Sequence, residues 1–372
     1  MRKKVLLILL AVVVTLSISA CGGSSTTSSA GNTPAQSGSS GGTEAADDTV
    51  YTIVLSYYAS ESIPPGLAVQ EAIKYAEEKS NGRLQFEAYF SGTYVSKDDT
   101  MASLKTGVID MSPCEATQIA SVSVLNQVFN ALIQADMPAD RKAVQEIYVK
   151  MIEEIPELQE EMLKNANSIW LYPFVLGGYN LHGTKSVNSI ADIKGLKIEA
   201  HGLLGQLTNQ NGGTAVELDS GDYYNGMKLG TVDSQFSHWA IVNNYQLFEI
   251  QKTHTVFGSE ALSGGLSMPA MGYFINNDTW NSLPEDLQGI MKDAFKVGAD
   301  YVYNADAESY AAALEKCEAA GQEIIYITGD DRKPWADAMQ PILDDWFKQC
   351  DAAGYDGKAV YEQMLKYFDD AA

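Results

Sequence analysis

Hydrophobic positions along the chain fall into three regimes. Residues 5–16 are a continuous apolar run behind Arg2, Lys3 and Lys4. Residues 22–48 hold almost no large apolar side chain and are mostly Gly, Ser, Thr, Ala and Asn. From Val50 onward, short β-rich runs alternate with stretches of helical period. Tyr51–Ser56 and residues 84–90 read as strands, and residues 65–79 as a helix stopped by Asn81-Gly82. Residues 98–105 predict a helix stopped by Gly107, and residues 108–111 a short buried strand. A helix over 141–165 should break near Pro156. Strands are predicted at 169–175, 196–200 and 214–218. Beyond Asp286 the pattern is helical, with one strand at 323–327. Such alternation predicts an α/β fold with mainly parallel sheets.

The first regime reads as a secretory signal over residues 1–20, because a dozen or so apolar residues are too few to span a bilayer comfortably. Ser19 and Ala20 are small, as a bacterial lipoprotein signal peptidase requires ahead of its cysteine. Cys21 is therefore expected to be the lipidated first residue, followed by a flexible tether over 21–48 that cannot bury enough surface to fold. Gly38-Ser39-Ser40-Gly41-Gly42 matches G-x-S-x-G only in form, since no strand leads into it and no helix follows. Roughly 320 residues remain, enough for two ordinary domains.

The formal charge is −23, and removing the signal would take away three cations and no acid. So acidic a chain argues against nucleic acid or anionic lipid as partners. Membrane contact is expected only through the lipid. Cys114, Cys317 and Cys350 are an odd number. Cys317 and Cys350 could pair, since export permits disulfides, or all three could be buried thiols. C-x-x-C and H-E-x-x-H spacings are absent, which argues against a zinc site.

Three stretches carry a resemblance. The first is Asp98-Asp99 with Leu104-Lys105-Thr106-Gly107-Val108-Ile109-Asp110-Met111. The second is Ile193-Lys194-Gly195-Leu196-Lys197-Ile198 with Lys228-Leu229-Gly230-Thr231-Val232-Asp233-Ser234-Gln235. The third is Asn277-Asp278-Thr279-Trp280 with Leu283-Pro284-Glu285-Asp286-Leu287-Gln288. In their order and spacing the chain resembles the DctP-type solute-binding proteins of tripartite ATP-independent periplasmic (TRAP) transporters. The resemblance implies a two-lobed α/β fold like that of periplasmic binding proteins, with a long helical C-terminal region. The lobes are expected at 49–176 plus about 264–302, and 177–263 plus about 303–372. It implies one small organic solute held in the cleft; neither cofactor nor catalysis is expected, and a monomer is the default. The solute would pass to a small and a large integral membrane subunit. A substrate-binding lipoprotein of an ATP-driven importer shares this plan, but the Leu196-Lys197 and Gly107 to Asp110 motifs favour the TRAP type. A secreted hydrolase is disfavoured, because the body offers no serine elbow, phosphate loop or metal cluster.

The family's usual solute is an organic acid, held by an arginine at the end of the strand after G-L-K. Here that position is Glu199. A second family arginine is matched by Asn180, and a family asparagine by Ser237. An acid facing a carboxylate at about 4 Å is opposed by roughly 4 kcal/mol at an effective dielectric near 20, about three decades of affinity. Lys185 or Lys197 could instead supply a cation. Glu199 and His201 share one side of a strand. Tyr57 and Tyr58, Glu115 and Gln118, and Asp219 each follow a predicted strand, where α/β proteins place ligands, and His238 with Trp239 follows the Val232-Asp233 segment. Carboxylates with aromatic rings suit a cationic amine, or a sugar or polyol. Structural alternatives stand beside these: a salt bridge for Glu199, a helix cap for Glu115, packing for Trp239.

Overall fold

The computed structural model describes residues 48–135, 137–138, 140–261 and 264–371. The expected signal, Cys21 and nearly all of the tether lie outside them. Among the described residues, eleven strands form two sheets. The first contains β1 (Tyr51–Ser56), β2 (Leu84–Tyr89), β3 (Met111–Cys114), β4 (Ser168–Val175) and β10 (Ala270–Asn276), in the order β2-β1-β3-β10-β4. The second contains β5 (Asn180–Gly183), β6 (Lys197–Glu199), β7 (Thr214–Val216), β8 (Ser234–Ser237), β9 (Thr253–Val256) and β11 (Glu323–Tyr326), ordered β11-β9-β5-β8-β6-β7.

Both sheets are mixed, which corrects the mainly parallel reading. β10 runs antiparallel to β3 and β4, and β5 antiparallel to β8 and β9. The reason is where each strand enters. β10 and β5 come directly from segments crossing between the sheets, so each starts at the edge where its neighbours finish. β3 also begins three residues later than expected. Gly107 takes a left-handed conformation and Val108 stays 52% exposed. Asp110 then accepts from the Val54 amide at 2.8 Å and the Thr279 hydroxyl at 2.5 Å.

Alternation sends side chains to both faces of each sheet. Ile53, Leu55, Tyr273 and Ile275 pack under α1 (Pro64–Lys79) and the front of α10 (Glu285–Ala319). Trp170 and Phe274 face the other way, with α2 (Thr100–Thr106), α3 (Ala116–Val122), α4 (Arg141–Glu154) and α5 (Pro156–Ala166). The break between α4 and α5 falls at Ile155, because Pro156 supplies the first turn of a new helix. In the second sheet Leu181, Ile198 and Phe236 meet α6 (Gly202–Gln210). Val256 meets Trp239 and Val242 of α8 (Trp239–Asn244) and the back of α10. Short helices α7 (Tyr223–Lys228) and α9 (Asn277–Ser282) complete the connections.

Two helices serve both sheets. α10 spans about 50 Å at 1.5 Å per residue; Leu287 to Val302 pack with the first sheet, and Tyr310, Ala313 and Cys317 with the second. α11 (Lys333–Ala353) gives Trp335, Met339 and Ile342 to the second sheet's core. Leu343, Trp346 and Cys350, with Tyr361, Met364 and Phe368 of α12 (Gly357–Ala371), pack instead with Phe129, Tyr148 and Trp170. The C-terminal segment, expected with the second lobe, thus straps back to the first. Cys114, Cys317 and Cys350 are free and buried; burial pushes their thiols up to about 12, about 11 and about 12.

The crossing segments touch. A Cβ on Gly178 would stand 1.6 Å from the Gly264 carbonyl oxygen, so only glycine fits there. Tyr179 donates to the Ser267 carbonyl at 2.7 Å and accepts from the Leu266 amide at 2.9 Å. Arg141 donates to the carbonyls of Leu176 and Tyr303, each at 3.0 Å, and Tyr310 also donates to Leu176. Arg332 donates to the carbonyls of Ile133, Ala135 and Gly265.

Candidate functional site

The C-terminal ends of β1, β3, β6, β7 and β8 lead into Tyr57, Glu115, His201, Glu217 and His238. Strand ends of this kind carry ligand sites in open α/β sheets, because backbone and helix N-termini are free there. On the first lobe, Glu115 precedes α3. Its amide is capped by the Gln118 side chain at 3.0 Å, while Gln118 also donates to the Lys97 carbonyl at 2.9 Å. Gln118 is therefore spent on backbone at both ends. The Glu115 carboxylate accepts from Tyr58 and lies 3.0 Å from the Lys97 ammonium, which sits 5.1 Å from the centre of the Tyr58 ring. Tyr57 is buried and meets Tyr58 edge-on at 5.1 Å.

On the second lobe, Glu199 is 2% exposed and pairs with His201 Nε2 at 2.7 Å; His201 Nδ1 is 3.7 Å from Glu217. The hydrogen bond to Glu199 raises the His201 pKa despite partial burial. Asp219 is exposed just before α7. Asn180 accepts from the Phe257 amide at 2.9 Å and donates to the Gly178 carbonyl at 3.3 Å, tying down the crossing segment. Ser237, opposite Asn180 in register, is buried, and its hydroxyl has no hydrogen-bond partner among the described residues. Trp239 donates to the Ala261 carbonyl at 2.5 Å and packs on His182 and His254, each at 4.7 Å, so its ring is spent in the core.

Charges from the two lobes act on one another. Burial pushes Glu115 up to about 7, and His201 across the cleft pulls the other way. Burial lowers Lys97 against the pull of Asp219, Asp98 and Glu217. Burial, Glu115 and Glu199 together raise the Tyr179 hydroxyl; burial, Glu199, Tyr179 and Glu115 raise that of Tyr223. The structure thus groups Tyr57, Tyr58, Glu115 and Lys97 on one side and Glu199, His201 and Glu217 on the other, with His201 acting on Glu115, and Asp219 and Glu217 on Lys97. The side chains of Asn180, Gln118 and Trp239 are spent on backbone hydrogen bonds.

Sequence reasoning missed Lys97, Tyr179, Glu217 and Gln235. Gln235 was legible by alternation, standing two residues before Ser237 on one face of β8. Lys185 and Lys197, the cations offered by the sequence, are both engaged: Lys185 pairs with Asp233 at 2.8 Å and Lys197 donates to the Gly230 carbonyl.

Residues 55–349 match the model of the bacterial extracellular solute-binding proteins, family 7, known as DctP. A solute-binding protein of Chromohalobacter salexigens is 24% identical over 291 residues, 77% of this chain and 82% of that protein. The C4-dicarboxylate-binding periplasmic protein DctP of Rhodobacter capsulatus is 22% identical over 299 residues, 79% and 85% of the two chains. The crystal structure of a TRAP periplasmic solute-binding protein from Desulfovibrio salexigens, with bound orotic acid, superposes with a TM-score of 0.71 at 19% identity. It covers 87% of this chain and 100% of that one.

Proposed function

Since the chain belongs to family 7 of the bacterial extracellular solute-binding proteins, the DctP type that serves TRAP transporters, we propose that its cleft captures an amine or a hydroxyl-rich solute rather than a plain organic acid. The family binds small molecules outside the cytoplasm and works with TRAP membrane subunits, a match that disfavours an ATP-driven importer. Two relatives carry acids in their names: a C4-dicarboxylate for the Rhodobacter protein and orotic acid for the Desulfovibrio one. One observation turns this chain away from them. Glu199, which stands where the resemblance places the solute-holding arginine, is buried at the strand end, and an acid there repels a carboxylate.

On this reading Glu199, Glu115 and Asp219 accept the solute's protons, Tyr57 and Tyr58 cover it, His201 and Ser237 add hydrogen bonds, and no bond is broken. The moving lobes are 49–176 with about 264–302, and 177–263 with the chain from about 303 to 342. Closing them removes water from both sides of the solute at once, which strengthens each polar contact. A lipid on Cys21 would hold this monomer at the membrane, beside the small and large TRAP subunits.

Thermal unfolding of the purified protein against acids, amines, sugars and polyols tests the reading. A ligand at 100 times its Kd stabilises by about 2.7 kcal/mol. Amines or polyols should raise the midpoint and acids should not. A shift from simple carboxylic acids alone would refute the assignment of Glu199.

A further inference from the structure

Resting on the solute-capture reading, we infer that the solute carries an ammonium or amidinium group, and that its N–H donors go to the Glu199 carboxylate and the Gln235 amide oxygen. Glu199 and Gln235 are opposite one another in register on β6 and β8. Their side chains therefore leave the same face of the sheet, one strand spacing apart. Each residue is 2% exposed, and Gln235 Oε1 has no hydrogen-bond partner among the described residues. Both groups accept at these oxygens. Glu199 has His201 beside it, but that imidazole is partly exposed and shared with Glu217. Two buried acceptors side by side, one charged and one without a partner, need a donor, and a cation carrying several N–H groups meets both requirements.

The rest of the cleft agrees in sign. The arginines beyond the tether are Arg83, Arg141 and Arg332. Arg83 is 2.5 Å from Asp286, while Arg141 and Arg332 hold carbonyls of the crossing and connecting segments. No arginine fork is left to grip a solute carboxylate in the cleft. Glu115, Glu199, Glu217 and Asp219 outnumber Lys97 and His201, the cations that face them. Tyr179 and Tyr223 lie within electrostatic reach of both Glu115 and Glu199, and ring faces attract cations. Lys97 already makes such contacts on the opposite wall, its ammonium held by Glu115 over Tyr58. It neutralises Glu115 and leaves Glu199 and Gln235 as the open pair.

Calorimetric titration of the purified protein with a size-matched set tests this. Butylammonium, agmatine and acetamidinium are the cations, all carrying N–H donors; butyrate, glucuronate and inositol are the controls. At least one cation should bind, more weakly at high salt. Glu199→Gln and Gln235→Leu should each weaken that cation tenfold or more. Lys97→Met, a change at a partly exposed residue that spares the fold, should strengthen it several-fold by uncovering Glu115. If Lys97→Met abolishes binding instead, the ligand is held through an anionic group and the inference is wrong. Silence from all three cations also overturns it. Should butyrate, glucuronate or inositol then bind, solute capture stands; should all six stay silent, that reading falls too.

Discussion

Two buried charged regions in this molecule are balanced in opposite ways. At the crossing segment, the cation Arg141 is surrounded by acceptors: two carbonyls at 3.0 Å, Asp306 at 3.8 Å, and the rings of Tyr303 and Tyr310 at 4.8 and 4.5 Å. In the cleft, acids crowd around Lys97 and His201, and Gln235 Oε1 has no partner among the described residues. A buried charge that is satisfied from within holds the fold together. A buried set left with surplus acceptors is completed from outside. The contrast separates structural charge from recognition better than residue type does, since each region contains acids, tyrosines and a cation.

The sharpest way to break the comparison is Arg141→Met. It leaves Asp306 buried without its cation and strips the Leu176 and Tyr303 carbonyls of a donor. Removing one partner of a buried pair costs about 3–5 kcal/mol, read as a lower midpoint in guanidinium unfolding. Adding Asp306→Asn should recover part of the loss, because burial already pushes the Asp306 carboxyl up to about 7 against the pull of Arg141. A loss below about 1 kcal/mol would mean that the crossing segment is held by its glycine contact and backbone ladder alone.

A smaller effect comes from pH. Burial, then Arg141, holds His238 down at about 3, and burial holds His254 at about 4. A histidine with a depressed folded pKa stabilises fully above its unfolded value near 6.5. That stability fades as pH falls towards the folded value, by at most about 1.4 kcal/mol per pH unit for each group. Glu115 and Asp306, both raised to about 7, act in the opposite sense: their cost is relieved as pH falls from 7 towards the usual carboxylate range. Between pH 7 and pH 5, urea unfolding should therefore show His238→Phe losing less stability, or gaining more, than the unsubstituted protein, and the exchange keeps the stack between Tyr179 and Tyr310. An unchanged slope would remove His238 from the balance.

Much of the fold was legible because its signals are local. The Tyr51–Ser56 strand, the stop at Gly107 and the break at Pro156 each follow from a few neighbouring residues. The direction of β10 and β5 was not, since it depends on the edge at which a crossing segment enters. Nor was the return of α12 to the first lobe, which needs Phe129, Tyr148 and Trp170 already in place. Strand alternation put Glu199 and His201 on one side, and the two pair at 2.7 Å. Lys97 was missed because only folding brings it to Glu115, eighteen residues on. Trp239 sits where a ligand-covering ring was expected, but its indole turns to Ala261.

The finest test of the comparison is the protonation of His201. Glu199 is its main support, ahead of Glu217, while Lys97 and burial oppose it. A histidine with a raised folded pKa contributes stability below about 6.5, lost as pH rises through the folded value. Glu199→Gln should lower the His201 pKa, followed by NMR of its ring protons, with little change in the unfolding midpoint because the exchange keeps the side chain's size and its partner His201 is partly exposed. Lys97→Met should raise it, since a nearby cation is gone. If Glu199→Gln leaves His201 unmoved, the two side chains do not interact in solution. Glu199 would then be a buried acid with no internal cation, and the surplus of acceptors in the cleft would be larger than the static structure shows.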